Sequence, residues 1–192
     1  MKKILIFTTK EGHLSIAQSV SQILQKANFK VQVMNTIATK GFAFYTPFYR
    51  YFPSLFQIPY KIGKQKQVQK GIRIFTSKLL IKTVKSAIKK SQPDLIISTN
   101  LFYNPAISQF LDYQKKPMPF INIIANPWTI HPLEFSSSAD FNLVYDEKGV
   151  KIGKKNKNSS EKLLAVGWPV RQKFYQKYDL VKIRKQLGFK KN

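Results

Sequence analysis

Two histidines, His13 and His131, are the side chains of this sequence best suited to acid–base chemistry. An imidazole near its unperturbed pKa accepts a proton from a hydroxyl group, the step that an alcohol needs as its oxygen attacks. His13 follows Gly12 where a helix is predicted to begin, and the positive end of the helix dipole keeps the ring neutral and therefore basic. The structural alternative is that His13 only caps the helix and His131 packs beside Pro132.

The secondary-structure elements predicted around these histidines indicate an α/β fold. Continuous apolar runs predict buried strands of a parallel sheet with helices on both faces, which is a Rossmann-like, doubly wound arrangement. The predicted strands cover residues 4–8, 31–34, 94–99, 119–125, 141–145 and 163–167.

Two amphipathic helices accompany these strands. The first is predicted over residues 15–27, with Ser15 as its cap. The second begins at about residue 72 and stops at Pro93. The predicted inner face of the first comprises Ile16, Val20, Ile23, Leu24 and Ala27, and that of the second comprises Ile72, Phe75, Leu79, Leu80, Val84, Ala87 and Ile88.

Three unusual loops follow predicted strands, at residues 10–13, 100–105 and 126–135. In an open α/β sheet, ligands gather at the carboxyl ends of the strands. Both histidines belong to these loops, so we expect them to face one cleft.

The charge is strongly positive, because 33 Lys and Arg stand against 9 Asp and Glu, for a formal net charge of +24. Such a field favours polyanions, either nucleic acid or an anionic membrane surface. The absence of cysteine excludes disulfides, thiolate-bound zinc and thiol catalysis, and we expect no metal site. No run approaches the roughly 20 apolar residues of a spanning helix, so any membrane contact is expected to be peripheral.

Five motifs follow one another along nearly the whole chain. They are EGHLSIAQSV from residue 11, PDLIIST at 93–99, NPWTIHP at 126–132, GWPVRQKF at 167–174 and RKQLG at 184–188. Together they resemble the monogalactosyldiacylglycerol synthase and processive diacylglycerol glucosyltransferase family, relatives of the MurG-type glycosyltransferases. The sequence departs from the family pattern in keeping only Gly12 in the opening loop, in having Asn126 for an Asp, and in having Glu134-Phe135 where a Trp is expected.

The resemblance implies the N-terminal half of a GT-B glycosyltransferase that transfers a hexose from a nucleotide sugar to diacylglycerol. Residues 1–189 would then form the acceptor and membrane domain, with His13 as the catalytic base and Gly12, Asn100, Asn126 and His131 at the acceptor. The C-terminal donor domain is expected to be missing or separate. The chain would therefore bind no cofactor or nucleotide sugar itself and would be inactive alone.

An aromatic and basic insertion at residues 41–73 fits peripheral docking at the cytoplasmic, inner face of the cell membrane. Aromatic rings settle at the headgroup level and lysines attract anionic lipid. The residues predicted to touch the membrane are Phe44, Tyr45, Phe48, Tyr49, Arg50, Tyr51, Phe52, Phe56, Lys61, Lys64 and Lys66. Two alternatives stay open: a basic nucleic-acid-binding module, in which the same aromatics stack on bases, and a non-catalytic subunit that recruits a separate donor-binding partner to the membrane.

Overall fold

The structure, a computed structural model, describes residues 1–10, 12–35, 61–114, 117–127, 129–156 and 159–189. The predicted strands are all present, within two residues of the expected bounds. They are β1 (Lys3–Thr8), β2 (Lys30–Asn35), β3 (Leu95–Ser98), β4 (Phe120–Ile123), β5 (Phe141–Val144) and β6 (Leu163–Ala165). The helices are α1 (Gly12–Lys26), α2 (Lys66–Ser91), α3 (Asn104–Asp112), α4 (Glu147–Lys155) and α5 (Leu180–Gln186).

The six strands form one parallel sheet in the order β2-β1-β3-β4-β5-β6. The predicted Rossmann-like class is therefore confirmed. The chain first builds outward from β1 to β2, and then continues on the other side of β1 with β3. The carboxyl ends of β1 and β3 thus flank a topological switch point, where open α/β sheets form a crevice.

Two apolar layers cover the sheet, as the continuous apolar character of the strands predicts. Leu5 and Phe7 of β1 pack into a cluster with residues of α2 and α3. Ile4 and Ile6 point to the other face and pack with Ile16 of α1. Since neighbouring strand residues face opposite sides, β1 is buried on both, and each such side chain contributes about 1.5–3 kcal/mol to folding.

Helix α1 begins at Gly12, three residues before the predicted start, so the prediction that Ser15 caps it is wrong. Ser15 lies within the helix, where its backbone carbonyl accepts a hydrogen bond from Ser19 Oγ at 2.8 Å. Ile16 is buried as expected, but Ile23 is 52% exposed. The earlier start brings His13 into the first turn of the helix.

Helix α2 begins at Lys66, about two turns earlier than predicted, and its inner face is partly different. Phe75 and Leu79 were expected inside but are 67% and 61% exposed in the described part of the structure. Thr76 and Ser77 are buried instead, because their hydroxyls bond to carbonyls of α2 and α3, including Ile72 O at 2.8 Å from Thr76. Satisfied hydroxyl groups can occupy a helix interface that hydrophobic periodicity assigns to apolar residues.

After β5, two secondary-structure elements end at glycines whose backbone φ lies in the left-handed region. Gly167 has φ +76° and ends the extended run that follows β6. Gly188 has φ +75°, and the neighbouring Phe189 N–H donates to Arg184 O at 2.9 Å, the bond that closes a Schellman cap on α5. Both positions fall in motifs that the sequence singled out. None of the helices in the described ranges is long and apolar enough to cross a membrane.

Candidate functional site

The carboxyl ends of β1 and β3 are tied together by hydroxyl and amide groups. Thr99 Oγ1 donates to Thr8 Oγ1 at 2.8 Å, and Asn100 Nδ2 donates to Thr9 Oγ1 at 3.0 Å. Thr8, Thr99 and Asn100 are buried. The loops on the two sides of the switch point are therefore hydrogen-bonded to each other.

His13 is held onto this edge by a short hydrogen bond. Its Nδ1 lies 2.6 Å from the backbone carbonyl oxygen of Thr99. A carbonyl oxygen only accepts, so Nδ1 carries the proton and donates it. In the neutral ring the lone pair is therefore on Nε2, and this is the nitrogen that can accept a proton.

His131 has the opposite arrangement. Its Nδ1 accepts a hydrogen bond from the Leu133 backbone N–H at 3.2 Å, so the neutral ring carries its proton on Nε2. The ring caps the short 3₁₀ turn Pro132–Glu134 and is buried. Where neutral His13 is a proton acceptor at Nε2, neutral His131 is a donor at Nε2.

Glu134 is a residue of this site that the sequence interpretation missed. Its carboxylate is only 5% exposed, and Oε1 accepts from the Asn126 side chain at 2.8 Å and from the His131 N–H at 2.9 Å. Burial raises the pKa of Glu134 to about 7, against the opposing effect of these hydrogen bonds, because a buried charge loses its hydration. Glu134 is therefore divided between its charged and neutral forms near neutral pH.

A signal for Glu134 was present in the sequence. Glu134 is the third residue after His131, and Pro132 follows the histidine directly, which is the spacing of a capping box with Pro at the first position. The prediction treated Glu134 only as a substitute for an expected Trp, so its own bonding capacity was not considered.

A row of buried asparagines holds this loop onto the sheet. Asn122 of β4 donates to the Glu134 carbonyl at 2.7 Å and to Asn142 Oδ1 at 2.8 Å, and accepts from Asn104 Nδ2 at 3.0 Å. Asn142 of β5 in turn exchanges two bonds with the backbone of Ser136. These asparagines were missed because each lies inside an otherwise apolar strand or at a helix start.

The structure places the described candidate residues at one end of the sheet. His13 and Asn100 lie at the switch point between β1 and β3, whereas Asn126 and His131 are joined through Glu134 after the neighbouring strand β4. Gly12 is exposed at the start of α1 and has no positive φ.

Of the predicted membrane residues, only the lysines Lys61, Lys64 and Lys66 fall within the described ranges, and all three are exposed. The remaining eight lie outside the described residues: Phe44, Tyr45, Phe48, Tyr49, Arg50, Tyr51, Phe52 and Phe56. Among the residues described here, no group of three or more His, Asp or Glu could hold a metal ion.

Comparison with solved structures shows what fold this is. The UDP-N-acetylglucosamine 2-epimerase of Rickettsia bellii matches with a TM-score of 0.58 and 16% identity, over 99% of this chain and 52% of that one. The UDP-GlcNAc 2-epimerase of Neisseria meningitidis, bound to UDP-GlcNAc, matches with a TM-score of 0.57 and 17% identity, over 97% and 53%. The chain thus spans about half the length of these structures. A search of curated proteins finds no significant match.

The six-stranded parallel sheet and its topological switch point define a Rossmann-like α/β domain of the GT-B type. Residues 13–170 match the family described as monogalactosyldiacylglycerol (MGDG) synthase. Since this match covers most of the sequence, the chain belongs to the MGDG synthase family, as its motifs predicted.

Proposed function

We propose that this domain is the acceptor side of a glycosyltransferase that moves a hexose from a nucleotide sugar to a diacylglycerol-type lipid. The observation that carries the proposal is the bond between His13 Nδ1 and the Thr99 carbonyl. It fixes a histidine in the base-competent tautomer at the switch-point crevice of a family that acts on this class of lipid.

In the proposed reaction, the lipid hydroxyl oxygen attacks the anomeric carbon of the donor sugar and its proton passes to His13 Nε2. The bond between the anomeric carbon and the phosphate oxygen breaks, and the nucleoside diphosphate leaves with that electron pair. Thr99 stabilises the imidazolium that forms, because its carbonyl stays bonded to Nδ1–H. A positioned base of this kind contributes about 100-fold to 10,000-fold in rate.

The loop that carries Asn126 and His131 is proposed to shape the same cleft. Neutral His131 offers an N–H donor at Nε2, which suits an acceptor oxygen rather than a proton in transit. Glu134 holds the backbone of His131 and the side chain of Asn126 together. These two residues would therefore orient the lipid headgroup while His13 performs the proton transfer.

Membrane docking is proposed to bring the cleft to its substrate at the inner face of the cell membrane. Lys61, Lys64 and Lys66 are exposed, and Phe75 and Leu79 are exposed on the same stretch of chain. Exposed apolar side chains among lysines suit a headgroup layer, and each cation near an anionic surface contributes about 1 kcal/mol. The aromatic residues at 44–56 are proposed to take part.

The nucleotide sugar is proposed to bind a second Rossmann-like half. The support is that this chain covers only about half of the matching structures. Transfer by this domain would then require a donor half, either on the same polypeptide or as a partner subunit.

The test is a glycolipid-product assay on this domain combined with a donor half, using labelled UDP-hexose and vesicles that contain diacylglycerol. His13→Ala should reduce transfer about 100-fold or more. His13→Asn is the matched variant, because the asparagine amide can still donate to Thr99 O but has no basic nitrogen. It should fold like the unmodified protein and remain as inactive as His13→Ala.

Vesicle flotation separates catalysis from docking, and both histidine variants should float with the vesicles as well as the unmodified protein. Undiminished transfer by His13→Asn would refute the base assignment. Complete absence of transfer in the unmodified complex, with vesicle binding intact, would favour the non-catalytic recruiting subunit. Binding to oligonucleotides but not to anionic vesicles at matched salt would favour the nucleic-acid module.

A further inference from the structure

A groove of about 830 Å³ lies between helix α1 and the short 3₁₀ turn Gln172–Tyr175. Its volume is within the range of small-molecule sites, and Val33 of β2 reaches it from the sheet. Helix α1 begins at the candidate cleft, whereas Gln25 lies about 18 Å further along the helix axis than His13. The groove is therefore a second concave surface, separate from that cleft.

Glutamine side chains dominate the lining of this groove. Five of the ten lining residues are glutamines, although the whole chain has only 14 among its 192 residues. Three of them lie on α1 and two on the opposite wall: Gln18, Gln22, Gln25, Gln172 and Gln176. Positions i, i+4 and i+7 share one face of a helix, so the amides of α1 form a row about 10 Å long. A row of this length is sufficient for a disaccharide.

Two of the three cations in the lining already have a partner within the protein. The Arg171 guanidinium carbon lies 5.6 Å from the centre of the Phe174 ring, and Lys173 Nζ lies 5.3 Å from it. The negative face of an aromatic ring attracts both positive charges. Amide groups, rather than unpaired charges, therefore characterise the groove.

Arg171 also has a polar group that lacks a partner. Its Nε is buried and has no hydrogen-bond acceptor in the part of the chain that the structure describes. A buried N–H without an acceptor is unfavourable, so a ligand oxygen that reaches Nε would stabilise the bound state.

A carbohydrate matches this set of groups. A hydroxyl group both donates and accepts hydrogen bonds, as a primary amide does, so sugar hydroxyls can pair with a row of glutamines. Val33 offers apolar contact to the C–H groups of a sugar ring. We propose that this groove binds a neutral hexosyl group, supplied either as a free saccharide or as the sugar headgroup of a glycolipid. The lipid-borne source rests on the proposed function, whereas saccharide binding itself does not.

Such a ligand would connect two distant parts of the chain. Helix α1 carries His13 in its first turn, and Arg171 and Gln172 belong to the GWPVRQKF motif that follows β6. A sugar bonded to both walls would hold this motif against α1. Saccharide binding needs no donor half and can be measured on this chain alone.

The test compares two double variants that leave the net charge unchanged. The groove variant, Gln22→Ala with Gln25→Ala, removes two amides from the α1 wall. The control variant, Gln67→Ala with Gln186→Ala, removes two glutamines of α2 and α5 that do not line the groove. All four positions are exposed and helical, and alanine favours helix, so both variants should fold. Their melting temperatures check this.

Lactose is titrated into the ¹⁵N-labelled chain, and the glutamine side-chain amide signals are followed in ¹H–¹⁵N correlation spectra. The unmodified chain and the control variant should show saturable shifts with the same dissociation constant. The groove variant should bind about tenfold more weakly or worse, equivalent to about 1.4 kcal/mol. Because lactose is neutral, its affinity should not depend on salt concentration.

Two results of the lactose titration would overturn the proposal. The first is the absence of a saturable shift at the groove glutamines of the unmodified chain. The second is equal affinity of the groove variant and the control variant, because the row on α1 would then not contribute to binding.

Flotation distinguishes the two sources of the sugar. Phosphatidylcholine vesicles with galactosyldiacylglycerol are compared with vesicles that contain the same fraction of diacylglycerol. A preference for the glycolipid that the groove variant loses identifies the lipid headgroup as the ligand. Equal flotation with both vesicle types, together with saturable lactose binding, identifies the free saccharide. A preference that the groove variant retains would refute the lipid-borne source at this groove.

Discussion

His13 Nδ1 lies 2.6 Å from the carbonyl oxygen of Thr99, although the two residues are 86 positions apart along the chain. The contact joins the first turn of α1 to the residue after β3, on either side of the switch point. It determines the tautomer of the histidine, because a carbonyl oxygen only accepts a hydrogen bond. A backbone carbonyl here performs the orienting role that a carboxylate has in many catalytic histidine pairs.

The two histidines should show opposite tautomers in solution. Long-range ¹⁵N–¹H correlation, at a pH where both rings are neutral, should find the proton of His13 on Nδ1 and that of His131 on Nε2. Each His→Asn variant assigns the signals. A His13 ring protonated at Nε2 would show that the Thr99 bond is not maintained, and would remove the basis for its action as a base at that nitrogen.

Glu134 should make stability depend on pH in a definite direction. Its pKa is raised to about 7 in the fold from 4.5. Between these values the folded state holds a proton that the unfolded state releases, so stability falls as pH rises through this window and is constant above it. The full difference corresponds to about 3 kcal/mol.

Glu134→Gln should remove this dependence, because Gln keeps the acceptor oxygen for Asn126 and His131 but cannot ionise. The free energy of unfolding is measured in urea at about pH 5 and at about pH 8. Its decrease between these two pH values should be larger for the unmodified chain than for the variant. Glu161→Gln, at an exposed carboxylate, is the matched control and should keep the original slope. A slope unchanged in Glu134→Gln would contradict the raised pKa.

Gly12→Ala should distinguish an effect on folding stability from an effect on the approach of the acceptor lipid to the backbone. An added Cβ at Gly12 meets no atom of the described residues within 4 Å, and the backbone there needs no positive φ. Alanine in this first helical turn should therefore leave thermal stability unchanged or raise it by up to about 1 kcal/mol. If the acceptor lipid approaches this backbone closely, the KM for lipid in the reconstituted enzyme should rise several-fold. An unchanged KM would exclude such an approach.

Substitution of two helical glycines by alanine should change the stability of the domain in opposite directions. An added Cβ at Gly153 would lie 2.7 Å from Leu163 Cδ2 and 2.9 Å from Phe135 Cε1. Gly153→Ala should destabilise the domain by about 1–3 kcal/mol through overpacking. At Gly71 of α2 no described atom lies within 4 Å, so Gly71→Ala should stabilise by about 1 kcal/mol. Chemical denaturation measures both changes in the free energy of unfolding. Two changes of the same sign would contradict this packing.

Local patterns were sufficient for the sheet and insufficient for the helix faces. The strands are short, apolar and buried on both sides, so a continuous apolar run indicates each one. Helix α2 shows the opposite case, because Thr76 and Ser77 replace Phe75 and Leu79 at its interface. Their hydroxyls are satisfied by backbone carbonyls and by α3, and no periodicity of hydrophobic residues reports such bonds.

The sequence by itself determined the parallel α/β class, the family and the position of the two histidines after strands, at the carboxyl ends of the sheet. The tertiary structure alone decided what those histidines can do. The tautomer of a histidine depends on which atoms lie within hydrogen-bonding distance of its ring, as the contact of His13 with Thr99 shows. The pKa of a buried group depends on its hydrogen bonds and on its loss of water, as for Glu134 beside Asn126. These contacts join residues that are distant along the chain or turned toward each other by a loop, and therefore arise only when the strands are brought side by side.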